Sequence, residues 1–233
     1  ISSEAMMKYL VLGSMTGAFF VLGTALIYGA TGSTNFNDIS TFIASHSQED
    51  LTLVIVGGTF IMITIMFKIG AVPFHSWVVD VYHGAPYPVT MFMASTFKIA
   101  VFAIALRIYL IEFASISHLW TPMLQVLTII TLIGGSLMAI SQSTVKRMLA
   151  GSSIVHSGYM LIAISSIGLG SEMAAPAIMF YLIAYFISAV GAFGILSFIA
   201  AHSKKQMTYE DFKGFSQRRP YICLLYTSDA ADD

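Results

Sequence analysis

Two lysines, Lys68 and Lys98, stand thirty positions apart inside runs that are otherwise apolar. Between them lie Pro73, His75, Asp80, His83, Pro86 and Pro88, and a further histidine, His156, sits inside a later apolar run. An ammonium away from water is costly, and within a membrane it is rarely kept without a partner or a task. Lysine and histidine both exchange protons, and histidine titrates near neutral pH. A proline inside a span frees a backbone carbonyl, which must then find water or protein. Water at such a break can join the basic groups into a chain that conducts protons without a cofactor. Lys68, Lys98, His75 and His156 are therefore the candidate proton-transfer residues, and Pro73, Pro86 and Pro88 the candidate helix breaks.

Each of these residues also has a plainer reading. Lys98 could snorkel, although from mid-span it has far to reach, and Lys68 could snorkel or simply bond the carbonyls freed at the break. His156 could be a hydrogen-bonded core histidine, because its neighbours Gly151, Ser152, Ser153, Ser157 and Gly158 are small residues suited to close helix packing. His75 and His83 could be structural, Asp80 a loop or helix-end carboxylate, paired or solvated, and Arg107 and Glu112 anchors at the end of a span. Other chemistries find no support. Gly168-Leu-Gly170 is only a turn, Ser152-Ser153…His156 has no acidic partner in its span, and no metal-ligand cluster or phosphate-cradling glycine loop is visible.

The elements that must position these groups are membrane spans. Of 233 residues, 57% are hydrophobic and 10% charged, far below the quarter usual in globular domains. The mean hydropathy is +0.80. Eleven basic against twelve acidic residues leave no basic patch for nucleic acid, and the single Cys223 excludes an internal disulfide or a cysteine-bound iron–sulfur cluster. Apolar runs at about 5–30, 51–83, 89–111, 122–140, 148–168 and 174–201 give six spans, each long enough for a hydrocarbon core of about 30 Å. The second is too long for one upright helix and is predicted to break near Pro73. Pro86 and Pro88 open the third, and residues 31–50 read as an exposed loop. Lys98 lies nine residues past Val89 and His156 eight past Met148, about 13 and 12 Å into their spans, so the two should share a level.

Threading six spans puts Lys8, the 142–147 loop and the 202–220 segment on one side, with eight of the eleven basic residues. The positive-inside rule makes that side cytoplasmic. No cleavable signal peptide is visible, and the chain is expected to be an excerpt of a longer protein. Residues 224–233 change character abruptly and look like a translated sequencing adapter, so 223–233 is set aside as a non-native tail behind a membrane domain at 1–222.

The run Lys68-Ile-Gly-Ala-Val-Pro-Phe-His-Ser-Trp-Val-Val-Asp-Val-Tyr-His-Gly-Ala-Pro-Tyr-Pro-Val resembles the antiporter-like membrane subunits of respiratory complex I, the proton-translocating NADH:quinone oxidoreductase. Its part from Asp80 onward is more similar to the N branch than to the M and L branches or to cation/proton antiporter subunits. Ser141-Gln-Ser-Thr-Val-Lys-Arg-Met-Leu, Ser152-Ser-Ile-Val-His-Ser-Gly-Tyr159, Tyr181-Leu-Ile-Ala-Tyr-Phe and Gly191-Ala-Phe match as well. The resemblance implies an all-α polytopic bundle, part of a fold of about fourteen spans in two inverted repeats. It implies an inner-membrane subunit that passes protons while partner subunits carry electrons from NADH to quinone, with no cofactor in this chain. It assigns proton transfer to Lys68 and Lys98, and His75 and His156 match family histidines. The glutamate expected in the preceding span and the lysine of a later broken helix are absent here. The rival readings are a Mrp-type sodium/proton antiporter subunit, the membrane arm of a related hydrogenase or ferredoxin-driven complex, and a spacer whose lysines only pin helices.

Overall fold

The computed structural model describes residues 2–202; the 202–220 basic segment beyond His202 and the 223–233 tail lie outside the described residues. The described residues form helices and connecting turns with no strand, as the hydropathy pattern requires. The first is α1, Ser2–Thr31. It is followed by α2, Phe36–Ser45, inside the segment predicted to be an exposed loop. That segment is polar enough to look like loop, but Asn35 caps a helix by accepting from the Asn37 amide, and Ile39 and Ile43 are buried one turn apart. Four-residue spacing is enough to pin a ten-residue amphipathic helix on the bundle.

The long second apolar stretch is broken, as predicted. Its first half is α3, Thr52–Ile69, which ends at Gly70 with φ 74°, a backbone conformation natural to glycine. Its second half is α4, Ser76–Gly84. Pro73 lies in the link between them. Pro86 and Pro88 do not break a span: Pro86 is the residue before α5, Tyr87–Ala94, and Pro88 sits in its first turn. The third span is broken elsewhere. At Ser95, with ψ −84°, α5 gives way to α6, Thr96–Arg107, and the Ser95 hydroxyl donates back to the Met91 carbonyl at 2.6 Å. A π-helical turn at Ile108–Glu112 continues α6, and a short 3-10 turn at Ala114–Ile116 leads onward.

The fourth span is α7, Ser117–Ile140, which begins before Pro122 instead of at it. The fifth, α8, Val145–Gly168, takes Lys146 and Arg147 into its first turn, where a loop was expected. The last is α9, Ala174–His202. Six stretches of these helices are long and apolar enough to cross a membrane, in agreement with the six expected spans. Their outward faces carry large apolar side chains such as Val21, Ile133, Leu137, Phe180 and Ile187, which suits hydrocarbon as a solvent.

Two close pairs hold the bundle: α7 against α8, and α1 against α3. Small residues make both possible. Gly151 faces the backbone of Ala139, and Gly23 and Gly57 face each other, so that helix backbones approach where any side chain would intrude. At one end of the bundle Lys8 of α1 reaches Asp80 of α4 at 2.6 Å, and Arg147 of α8 lies 3.6 Å from the same carboxylate. Lys8 also pairs with Glu4 at 2.9 Å. The first span and the 142–147 corner thus meet at a common end, as the threading predicted, and Asp80 is paired, but it sits in the middle of α4 and not at a helix end or in a loop.

Candidate functional site

The break between α3 and α4 exposes backbone groups that a bilayer would leave unsatisfied, and side chains from other helices take them up. The Trp77 indole donates to the Phe67 carbonyl at 3.0 Å, and the Ser157 hydroxyl of α8 donates to the Ile69 carbonyl at 2.9 Å. The Val72 amide donates to the Thr131 hydroxyl of α7 at 3.1 Å. The amides of Gly70 and Ala71 turn back onto the Phe67 and Met66 carbonyls. Lys68 takes no part in this. Among the described residues it has no hydrogen bond or ion pair. Its ammonium is half-buried and faces the rings of Tyr9, Phe67 and Phe97 at 5.7, 5.9 and 5.8 Å. Bonding of Lys68 to the freed carbonyls is thereby set aside; the rings offer it only their negative faces.

Lys98 is placed quite differently. It lies in the first turn of α6, immediately after the Ser95 break, and is 2% exposed. Its ammonium donates to the Ser153 hydroxyl at 2.6 Å, to the Ser157 hydroxyl at 2.8 Å, and to the Ser153 carbonyl. All three donors of the ammonium are used, each on a neutral acceptor, and no carboxylate reaches it among the described residues. Snorkelling is excluded, because the side chain points into the bundle. Ser157 is the shared member: it accepts from Lys98 and donates to Ile69, so the cation is tied through one hydroxyl to the broken end of α3.

Ser153 and Ser157 bracket His156 along α8, so Lys98 and His156 do share a level. His156 Nδ1 and the Tyr181 hydroxyl of α9 are hydrogen-bonded at 2.6 Å. The Tyr185 ring lies between the two basic groups, 4.9 Å from the His156 ring and 5.7 Å from the Lys98 ammonium. A cavity of about 20 Å³ opens here between α8 and α9, lined among others by Ser152, Ser153, His156, Tyr185 and Ser188. That is room for a single water with several polar partners. His156 lines this cavity directly, and Lys98 approaches it through Ser153 and Tyr185, which line it as well.

His75 is the residue before α4, and its Nδ1 is buried with no hydrogen-bond partner among the described residues. It lies on the α3–α4 link. His83 Nδ1 is likewise buried and unpartnered. Beside it, buried Lys146 donates to the His83 and Ala85 carbonyls and lies over the Tyr87 ring at 4.3 Å, tying the α4–α5 corner to α8. Arg107 lies over the Phe36 ring of α2 at 4.7 Å, an anchoring contact. Glu112 is no surface anchor; it is 3% exposed. Among the described residues, no group of three or more His, Cys, Asp or Glu side chains gathers as a metal ion would need.

Ser153, Ser157, Tyr181 and Tyr185 were not singled out as partners by residue chemistry, because serines and tyrosines are common in spans. The available signal was spacing: each pair is four apart and so shares a helix face. Ser157→Ala removes the one hydroxyl joining Lys98 to Ile69. We expect a loss of about 1 kcal/mol, the size of an interhelical hydrogen bond in a membrane. It should appear as a lowered thermal midpoint of the purified full-length protein, and an unchanged midpoint would mean the bond contributes nothing.

A bundle of apolar helices around a desolvated, hydroxyl-bonded lysine beside a helix break defines a polytopic membrane protein with a buried cation site. The family model described as "NADH:quinone oxidoreductase/Mrp antiporter, TM" matches residues 1–228, and the chain belongs to that family. NADH-quinone oxidoreductase subunit N 1 of Sorangium cellulosum is 40% identical over 97% of this chain and 46% of its own length. Subunit N of Chloroflexus aggregans is 39% identical over 96% of this chain and 46% of its own. The chain thus spans about half the length of the curated relatives it matches. Among solved structures, respiratory complex I from Thermus thermophilus contains a similar chain, with TM-score 0.77 and 33% identity over 95% of this chain and 45% of that one. The archaeal membrane-bound sulfane sulfur reductase matches with TM-score 0.83 and 29% identity over 97% of this chain and 45% of that one. The Mrp complex from Dietzia shares the fold, with TM-score 0.75 and 23% identity over 84% of this chain and 35% of that one.

Proposed function

We propose that the full-length protein is a membrane subunit of an NADH–quinone oxidoreductase of a bacterial inner membrane. It translocates protons while other subunits carry electrons from NADH to quinone. The observation that carries this reading is Lys98: an ammonium 2% exposed, bonded only to neutral oxygens, in a family whose curated relatives here are named for that enzyme. A cation kept at such a depth without a counter-ion is costly unless its charge comes and goes.

In this reading Lys98 holds a proton on Ser153 and Ser157, and a water in the adjoining cavity passes it to or from His156. Lys68, held by aromatic rings at the break, is the second switching cation, and His75 relays along the α3–α4 link. The end carrying Lys8, Asp80 and Arg147 faces the cytoplasm. The chain holds no cofactor of its own; NADH and quinone are used elsewhere in the complex. Its partners are the other membrane subunits and the bilayer. Residues 1–222 are part of the antiporter-like domain. Cation/proton antiport is the second reading, because the family description names both activities.

Deleting and then restoring the full-length gene separates the two. Membrane vesicles are assayed for NADH-driven quinone reduction and proton uptake beside sodium/proton exchange. Deletion is expected to abolish NADH-driven uptake and to leave exchange intact. Loss of exchange with NADH oxidation intact would establish the antiporter instead.

A further inference from the structure

Glu112 is a buried acid that the path just described does not use. It closes the π-helical turn that continues α6, fourteen residues beyond Lys98 on the same helical run, or about 21 Å along the axis. The run leads away from the Lys8–Asp80–Arg147 end. The side chain is 3% exposed and its Oε1 has no hydrogen-bond partner among the described residues. No ion pair within 4 Å reaches it there either: the cation nearest in sequence, Arg107, is laid over Phe36, where its charge acts on the carboxyl without bonding to it. The amphipathic α2 packs across this π turn and covers it. A second buried oxygen without a partner among the described residues, Thr121 Oγ1 of α7, follows Trp120, whose indole donates to the Phe113 carbonyl beside Glu112.

An unpaired acid buried at the end of a span is expensive, and π turns recur where helices serve a function. A merely structural carboxyl would be expected to have its oxygens bonded. We propose that Glu112 is a proton-holding group at the far end of the path, taking a proton released by Lys98 and delivering it to water beyond α2. This rests on the proton-translocating reading above. Protons alone move. An N–H bond breaks at Lys98, intervening waters exchange O–H bonds, and an O–H bond forms on the Glu112 carboxylate. That acid O–H then breaks, and the proton leaves on water at the outer face. Because α2 lies over the site, the last step requires water to enter between α2 and the π turn.

The test uses the full-length protein in its native membranes. A hydrophobic carbodiimide, which adds to protonated carboxyls within the bilayer, should leave an acylurea on the peptide carrying Glu112, detected by mass. Absence of that adduct overturns the proposal. Separately, Glu112→Gln, which keeps the shape and loses the titrating proton, should lower NADH-driven proton uptake about a hundredfold, as expected for removal of an acid–base group. Glu112→Asp should restore it. Full uptake in Glu112→Gln beside lost uptake in Lys98→Met would overturn the role of Glu112 and leave the translocase reading standing. Full uptake in both would overturn that reading itself.

Discussion

Lys98→Met is expected to lower NADH-driven proton uptake by membrane vesicles about a hundredfold, the size of a lost acid–base group, while the protein accumulates normally. Methionine has nearly the length of lysine and no charge, so it can fill the same space between α6 and α8. Of the two hydroxyls it abandons, that of Ser157 is not orphaned, because it still donates to the Ile69 carbonyl. Stability should rise, since a charged lysine at mid-span carries a penalty of about 3 kcal/mol on insertion scales. A raised thermal midpoint with lost pumping is the signature of a residue kept for function against stability. Lys98→Arg adds a control. It retains the charge but does not give up its proton, so uptake should be lost in that variant too. Uptake that survives Lys98→Met would reduce the lysine to a helix pin, and the spacer reading would hold.

The second large effect is structural. Gly151→Leu is expected to prevent the α7–α8 pair from closing and to leave little protein in the membrane. A Cβ on Gly151 would stand 2.6 Å from the Ala139 Cα, 2.8 Å from its nitrogen and 2.9 Å from its Cβ. Two of these atoms belong to a helix backbone and the third is fixed to it, so none can swing aside. Overpacking of a well-packed site costs about 1–3 kcal/mol even where side chains can adjust, so the cost here lies at or above that range. The same displacement would pull Ser153 and Ser157 off Lys98, because all three contacts come from α8. Gly191→Leu is the comparison, since a Cβ there meets nothing within 4 Å among the described residues. Immunodetection of membrane-embedded protein reads both variants. Equal amounts of the two would show that the Gly151 approach is not needed for folding.

Much of the architecture was legible before any coordinates. Six spans, the break near Pro73, the level shared by Lys98 and His156, and the common end of Lys8 and Arg147 all follow from hydropathy, helical rise and charge. These are local properties read against fixed bilayer dimensions. The misses have local causes too. Proline marks the predicted break in the second span and the predicted starts of the third and fourth, yet Ser95 breaks the third span with no proline, and Pro122 is carried inside α7. The polar 31–50 segment hid α2 because composition outweighed the four-residue spacing of Ile39 and Ile43.

The sequence by itself determined that this chain is a membrane bundle, which residues are the costly ones inside it, and where one helix must part. The tertiary structure alone decided which costly residue is enclosed. Lys98 and Lys68 look alike in the chain, yet one is sealed against two serines of α8 and the other rests among rings at the break. It also decided that His156 meets Tyr181 and Tyr185, and that Glu112 is buried beneath α2. The reason is physical. Lipid is as apolar as the side chains it replaces, so hydropathy tells a helix that it is in the membrane but not which face meets a neighbour. That choice is made by small residues and hydroxyls on helices far apart in sequence, and it becomes visible only once they pack.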